Sequence, residues 1–340
     1  MSLPPSEIPL GAMRFNSDSQ KLEYWMGSTW RQIHTFSPNL DGGVRAVVFG
    51  GNNGNPYEYI NFFTISTQGN AQDFGDLPAT RTAAMSCASS TRGFCASGQE
   101  PGGFTADIDF VTIASTGNST DFGGNVTDDR DFGSGLANAT RGVFIGGRIT
   151  APSTAGNIID FITMASSGDA KDFGDLRQTA RNYPACLASP TRGIAAGATG
   201  PSPQNHHEID FITIASTGNG QDFGDLDLVQ GAAGASNSIR GLFAGGYGSY
   251  PSITNIIEFA TIATRGNATN FGDLTQARRG VSGASSSVRA CFSGGSTPSS
   301  VLTIDYIEIA TGGNAVDFGD LIDDARKNTA SCSNGHGGLG

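Results

Sequence analysis

The sequence predicts an all-β protein built as a circular array, and three observations carry that prediction. A unit of about fifty residues recurs six times. Self-similarity at such a period marks stacked or ring-like architectures, in which no unit buries its apolar face alone. The apolar stretches alternate, or run for roughly four to eight residues between Gly, Asn, Ser and Pro, as strands do. The 49 glycines recur at fixed places in each unit, where they serve turns and close backbone approach.

One half of the unit reads Ile-Asp-Phe-x-Thr-Ile-Ala-Ser-Thr-Gly-Asn-x-x-Asp-Phe-Gly-Asp-Leu, with copies starting near Ile60, Ile108, Ile159, Ile209, Ile257 and Ile304. The other reads Arg-Gly-x-Phe-x-Gly-Gly, with its arginine at Arg45, Arg92, Arg141, Arg192, Arg240 and Arg289. Each unit divides into four strand candidates. Strand A is small and bland, as over 278–285, and strand B is typified by 241–244, closed by Gly245 and Gly246. Strand C follows a variable loop, as over 257–262, and a Gly-Asn turn leads to a short strand D around 270–274. Four strands per unit at this period is the arithmetic of a propeller blade. Small residues suit strand A near a crowded axis, whereas the Ile and Phe of strand C suit the wider space between blades.

The first unit starts at strand B, without a strand A before Arg45, and the segment 325–332 after the last strand D reads as a strand A. A ring can close by pairing that segment with the first unit, which removes exposed sheet edges. The expectation is a six-bladed propeller over 44–340, with four-stranded blades closed by the C-terminal strand A. Residues 1–43 lie outside the repeat and read as a small three-stranded meander over 12–16, 21–25 and 29–33. Pro4, Pro5 and Pro9 suit an extended arm before it, and 35–43 serves as a linker. So small a sheet cannot stand alone, and its aromatics Tyr24, Trp25 and Trp30 are expected to dock on something else.

Charge excludes one class of function. The formal net charge is −11 with no basic cluster, so binding to a nucleic-acid backbone is not expected. No apolar run approaches the roughly twenty residues that span a bilayer, and the N-terminus has no secretory-signal pattern. Five cysteines, Cys87, Cys95, Cys186, Cys291 and Cys332, are an odd, irregular set that reads as small buried thiols and not as a disulfide framework.

Signals for catalysis are weak. Asp-Phe-Gly-Asp places two carboxylates three apart, but Ca²⁺ takes about six or more oxygen ligands, and the motif recurs at Asp73, Asp172, Asp222 and Asp317. Its aspartates are expected to cap turns or to pair with Arg81, Arg130, Arg181, Arg278 and Arg326. The histidines have no nucleophile with a plausible geometry beside them. No metal, cofactor or catalytic residue is assigned.

Function is better sought where the copies differ. The B–C loops and D–A connections share one face in an up-and-down blade, and there the residues vary. Tyr57, Tyr59, Phe104, His206, His207, Tyr247 and Tyr250 are the candidate ligand-binding residues, because a rigid scaffold with variable loops is a binding-site layout.

The Gly-Gly after strand B, the strand C aromatic (Phe62, Phe110, Phe161, Phe211, Phe259, Tyr306) and the Arg before strand A resemble kelch-type propellers, with Phe standing where strand D of that pattern has Trp. The run Ile-Asp-Phe-Ile-Thr-Ile-Ala-Ser-Thr-Gly-Asn with Asp-Phe-Gly-Asp-Leu resembles repeats in structural proteins of tailed bacteriophages, especially of marine and cyanobacterial hosts. The segment Gly-Ala-Met-Arg-Phe-Asn-Ser-Asp-x-x-Lys-Leu-Glu-Tyr-Trp resembles a small module of phage fibre and virion proteins. These resemblances imply a non-enzymatic virion component made in the host cytoplasm and present in multiple copies. Residues 1–43 would then bind other virion proteins, and the variable face a host polysaccharide or protein. The alternatives are a decoration or adaptor protein without a ligand, and a glycan-processing enzyme using Asp128 or Asp129.

Overall fold

A computed structural model of the chain describes residues 8–16, 21–32, 44–149, 156–177, 181–199, 205–228 and 230–340. The arm expected at Pro4 and Pro5, and the linker expected over 35–43, lie outside the described residues. The protein is all-β; among the described residues the one helical element is a 3-10 turn, Gly337–Leu339. Two compact units divide the chain, Met1–Asp41 and Gly42–Gly340.

The smaller unit is an antiparallel sheet of Met13–Asn16, Lys21–Trp25 and Trp30–Gln32. Its register pairs Arg14 with Glu23 and Trp25 with Trp30 on one face, and Met13 with Tyr24 and Phe15 with Leu22 on the other.

The larger unit contains six four-stranded antiparallel sheets among its described residues. The second sheet is Met85–Ala88, Arg92–Glu100, Gly103–Thr112 and Thr120–Asn125 in spatial and chain order. The third to sixth sheets repeat this order, opening with Ser134–Ala137, Ala185–Ala188, Ala233–Ser236 and Ser282–Ser285. The first sheet differs in its origin: Ala330–Ser333 pairs with Arg45–Phe49, in register Ala330 with Phe49 through Ser333 with Ala46. Tyr57–Thr64 and Gln72–Arg81 complete it.

The core lies between sheets. Each apolar cluster joins one sheet to the next; for example Leu136, Val143, Ile159 and Phe173 of the third meet Ala195, Ile212 and Ile214 of the fourth. The last cluster joins Cys291, Ile304 and Phe318 of the sixth sheet to Ala46, Val48 and Phe63 of the first. The opening strands of successive sheets also adjoin in cyclic order, Ala330–Ser333 lying beside both Ser282–Ser285 and Met85–Ala88. All five cysteines are buried and free. Cys87 and Cys95 enter clusters on opposite faces of one sheet, so their sulfurs point apart.

The recurring motifs hold neighbouring sheets together. Each strand B arginine lies over the strand C aromatic of its own sheet, 4.7 Å from the Phe161 ring for Arg141 and 4.8 Å from Tyr306 for Arg289. Its Nη1 donates to a carbonyl of the next sheet's C–D turn: Arg141 to Ile214 at 2.9 Å, Arg240 to Ala310 at 2.7 Å, and Arg289 back to Ser66 at 3.0 Å. Asp-Phe-Gly-Asp meets the same turn. In the fourth sheet the Phe223 carbonyl accepts from Gly266 N–H, and Asp225 N–H donates to the Asn267 side chain at 3.1 Å. A Cβ on Gly224 (φ +151°) would stand 2.4 Å from the Gly266 oxygen, so the motif requires glycine there. The second unit, which reads Asp-Phe-Gly-Gly-Asn, substitutes Asp169 as the acceptor for Asn125 N–H.

The buried arginines correct one expectation. Arg81, Arg130, Arg181 and Arg278 pair with the strand C acids Asp109, Asp160, Asp210 and Asp305, at 2.8, 2.5, 3.4 and 2.8 Å, and not with Asp-Phe-Gly-Asp. Both faces of each sheet are covered, so consecutive residues such as Ile159 and Asp160 are both buried, and the inward acid needs a cation beside it. Two units break the rule. Arg326 meets the neutral Asn61, and burial lowers its pKa to about 10. Glu258 accepts from the Asp227 and Leu228 N–H groups, and burial raises its pKa.

Candidate functional site

Around the axis the D–A connections form a ring of backbone hydrogen bonds. Ala83 N–H donates to Asn328, Phe132 to Ala83, Tyr183 to Phe132, Gly231 to Tyr183, Gly280 to Gly231 and Asn328 to Gly280. All six residues have positive φ, from 54° to 68°. The backbone repeats at these positions and the side chains do not: Ala, Phe, Tyr, Gly, Gly and Asn stand at one equivalent place. They border a cavity of about 110 Å³ between the opening strands.

The two sides of this mouth differ. On one, Phe132 and Tyr183 stack at 3.9 Å, and Arg148 lies over Phe132 and Phe104 while bonding the buried Asp131 at 2.6 Å. That side is filled. On the other stand Gly231 and Gly280, which have no side chain to fill the space. Beside them opens a cleft of about 260 Å³. Tyr183, Tyr247 and Tyr250 line it, the last two rings 5.2 Å apart and Tyr250 62% exposed. Gln230 and Arg279 add an amide and a guanidinium, the latter 5.5 Å from the Tyr247 ring centre. Burial is the main cause that raises the Tyr183 and Tyr247 hydroxyl pKa values, so both are neutral donors at physiological pH.

The residues expected on the variable face therefore fall into separate groups. Tyr247 and Tyr250 meet in the cleft. Tyr57 and Tyr59 stack on each other at 5.2 Å in the first sheet. Phe104 is engaged by Arg148. His206 is buried, with Nδ1 3.3 Å from Glu208, while the His207 ring bonds the Leu226 carbonyl oxygen. Tyr183, Gln230 and Arg279 escaped the sequence reading because they sit in short D–A connections. An aromatic at the place other units give to Ala, Gly or Asn was the available signal.

Among the described residues no three His, Cys, Asp or Glu side chains gather to hold a metal ion. Asp128 and Asp129 are exposed. In the smaller unit Trp25 is buried and lies 5.3 Å from Trp30, with Arg14 over the Trp30 ring at 4.3 Å and bonded to Glu23. The apolar side chains left exposed there include Met13 at 59% and Phe15 at 64%, on the face shared with Tyr24.

The far end of the axis is closed by the C-terminal tail. Strand A hydroxyls donate around part of the ring, Ser333 to Ser285, Ser285 to Ser236 and Ser236 to the Ala188 carbonyl. Alanine stands at the equivalent places 88, 137 and 188. There His336 Nε2 donates to the Ala88 carbonyl at 2.7 Å, and its Nδ1 accepts from Gly338 N–H. Gly337 and Gly338 lie so close to the carbonyls of Ala188 and Ala137 that neither has room for a Cβ. Burial lowers the His336 pKa, which keeps the ring neutral as these bonds require.

No protein-family model matches the chain, and no curated protein sequence matches it.

Proposed function

We propose that this chain is a six-bladed β-propeller that serves as a non-enzymatic binding component of a tailed-phage virion, recognising a glycan through the cleft of Tyr183, Tyr247 and Tyr250. The propeller reading is supported by the cyclic order of the sheets and by the ring of hydrogen bonds that returns from Asn328 to Ala83. The virion reading rests on the sequence resemblance of the repeat and of the N-terminal module. In it, the smaller unit attaches the chain to the particle, and its exposed Met13 and Phe15 suit that task.

One observation carries the glycan reading: the cleft is walled by three tyrosines at the only part of the described mouth where glycines leave room. Aromatic faces pack against the C–H faces of a sugar ring, and tyrosine presents a rigid surface with one polar tip. A volume of about 260 Å³ lies below the roughly 300–1,000 Å³ of drug-sized pockets, which suits one or two sugar rings. Single-stranded nucleic acid also stacks on aromatics, but a net charge of −11 opposes it.

The test is binding of the labelled full-length chain to cyanobacterial cells before and after removal of surface polysaccharide. Saturable binding that is lost on stripping, and lost again in Tyr247→Ala, is the expected result. Binding that survives both treatments would point to a protein receptor, and absence of binding to a decoration role.

A further inference from the structure

We infer that the cleft takes an acidic sugar, with Arg279 binding the carboxylate of a uronic acid whose ring lies against Tyr247 and Tyr250. The inference rests on the glycan-binding reading above and deepens it. Its starting point is the company arginines keep in the larger unit. The buried ones pair with strand C acids or Asn61, and the strand B ones donate to turn carbonyls. Arg148 bonds Asp131, Arg177 bonds Asp210 and Asp222, and Arg265 donates to Gln221. Among the described residues Arg279 alone of that unit's arginines has neither a carboxylate nor a hydrogen-bond acceptor for its side chain; its guanidinium lies against the Tyr247 ring.

An acidic chain that matches its arginines so consistently leaves this guanidinium open at the cleft. Asp131, on the filled side of the mouth, is already held by Arg148 through two bonds of 3.0 and 2.6 Å, so it is not a partner for Arg279. A planar guanidinium accepts a carboxylate through two parallel N–H···O bonds, and contact with an aromatic ring fixes its plane. The Gln230 amide and the neutral tyrosine hydroxyls are placed for the sugar hydroxyls. A neutral sugar would leave the cation without an anionic partner; a uronic acid uses every polar group the cleft offers.

The test titrates the full-length protein with glucuronic acid oligosaccharides, as free acids and as their methyl esters, by calorimetry. The free acid should bind at least about tenfold more tightly than the ester, the size of effect expected for charge-assisted hydrogen bonds. Arg279→Gln should remove that difference, and raised salt should weaken only the free acid. Tyr250→Ala, at an exposed ring, should weaken both forms. If acid and ester bind alike and Arg279→Gln changes neither, while Tyr250→Ala still weakens both, the carboxylate assignment is overturned and the glycan reading stands. If neither form binds while polysaccharide-dependent cell binding persists, the uronic-acid assignment alone falls; if Tyr250→Ala and Tyr247→Ala are both without effect on that binding, both readings fall.

Discussion

The two faces of the larger unit are made by opposite rules. At the C–D turns the same contacts recur from sheet to sheet: an arginine on an aromatic, a glycine N–H on a Phe carbonyl, an Asn side chain on an Asp N–H. When one copy departs from the sequence, as at Asn125, another acceptor restores the contact. At the axial mouth the backbone bonds recur but the side chains at one equivalent place run from glycine to tyrosine. Repetition there belongs to the main chain alone, which frees the side chains to differ. Repeated contact marks the frame, and broken pattern marks the place where the proposed ligand would be met.

Substitutions can break this contrast, beginning inside the frame. Arg278→Met leaves Asp305 buried without its cation and should reduce stability by about 3–5 kcal/mol, measured by urea denaturation. Arg278→Met combined with Asp305→Leu should recover most of that loss, because removing both charges leaves neither unpaired. Gly224→Ala forces a Cβ against the Gly266 carbonyl and should reduce stability by about 1–3 kcal/mol. The same substitution at Gly117, where a Cβ would meet nothing within 4 Å but φ is +153°, should cost only the backbone strain.

The axial tail gives a pH-dependent effect. His336 is neutral when seated, and its pKa in the folded chain lies below the ordinary 6.5. Its contribution is therefore complete above pH 6.5 and is lost as pH falls through the lowered folded value. The melting temperature should drop over that interval, and His336→Gln should flatten this part of the profile at a loss of about 1 kcal/mol near pH 7. The smallest effect belongs to the mouth. Tyr247→Ala should change stability by no more than about 0.5 kcal/mol while removing glycan binding, so that fold and function separate at one residue.

Much of the frame was readable from residue order. Small residues in strand A, Ile and Phe in strand C, and a strand A that follows the last repeat led directly to the sheets and to the pairing of 330–333 with Arg45–Phe49. The partners of the buried arginines were not readable. A Asp in Ile-Asp-Phe reads by alternation as solvent-facing, and only coverage of both sheet faces turns Asp160 inward to Arg130. Of the cleft, Tyr247 and Tyr250 stood out as aromatics in a variable loop, whereas Arg279 sits beside Arg278 in a stretch that also supplies the frame. Two adjacent arginines look alike until one is buried and the other opens on a cleft. The size of Trp25 and Trp30 suggested docking, while their contact with each other, 5.3 Å between ring centres, could be read only from the sheet register.

The pairing of Ala330–Ser333 with Arg45–Phe49 also governs when the molecule can come into being. During synthesis Arg45–Phe49, Tyr57–Thr64 and Gln72–Arg81 of the first sheet are made early in the larger unit, yet their innermost strand, Ala330–Ser333, follows only after the other five sheets. Until then Val47 and Phe49 have an open strand edge beside them, the kind of edge that invites association with other chains. Successive sheets can gather as they emerge, but the Asn328–Ala83 link and the segment around His336 arrive only after the sixth sheet. Completion of the ring therefore waits for residue 330, and a chain that stalls short of it leaves that edge uncovered.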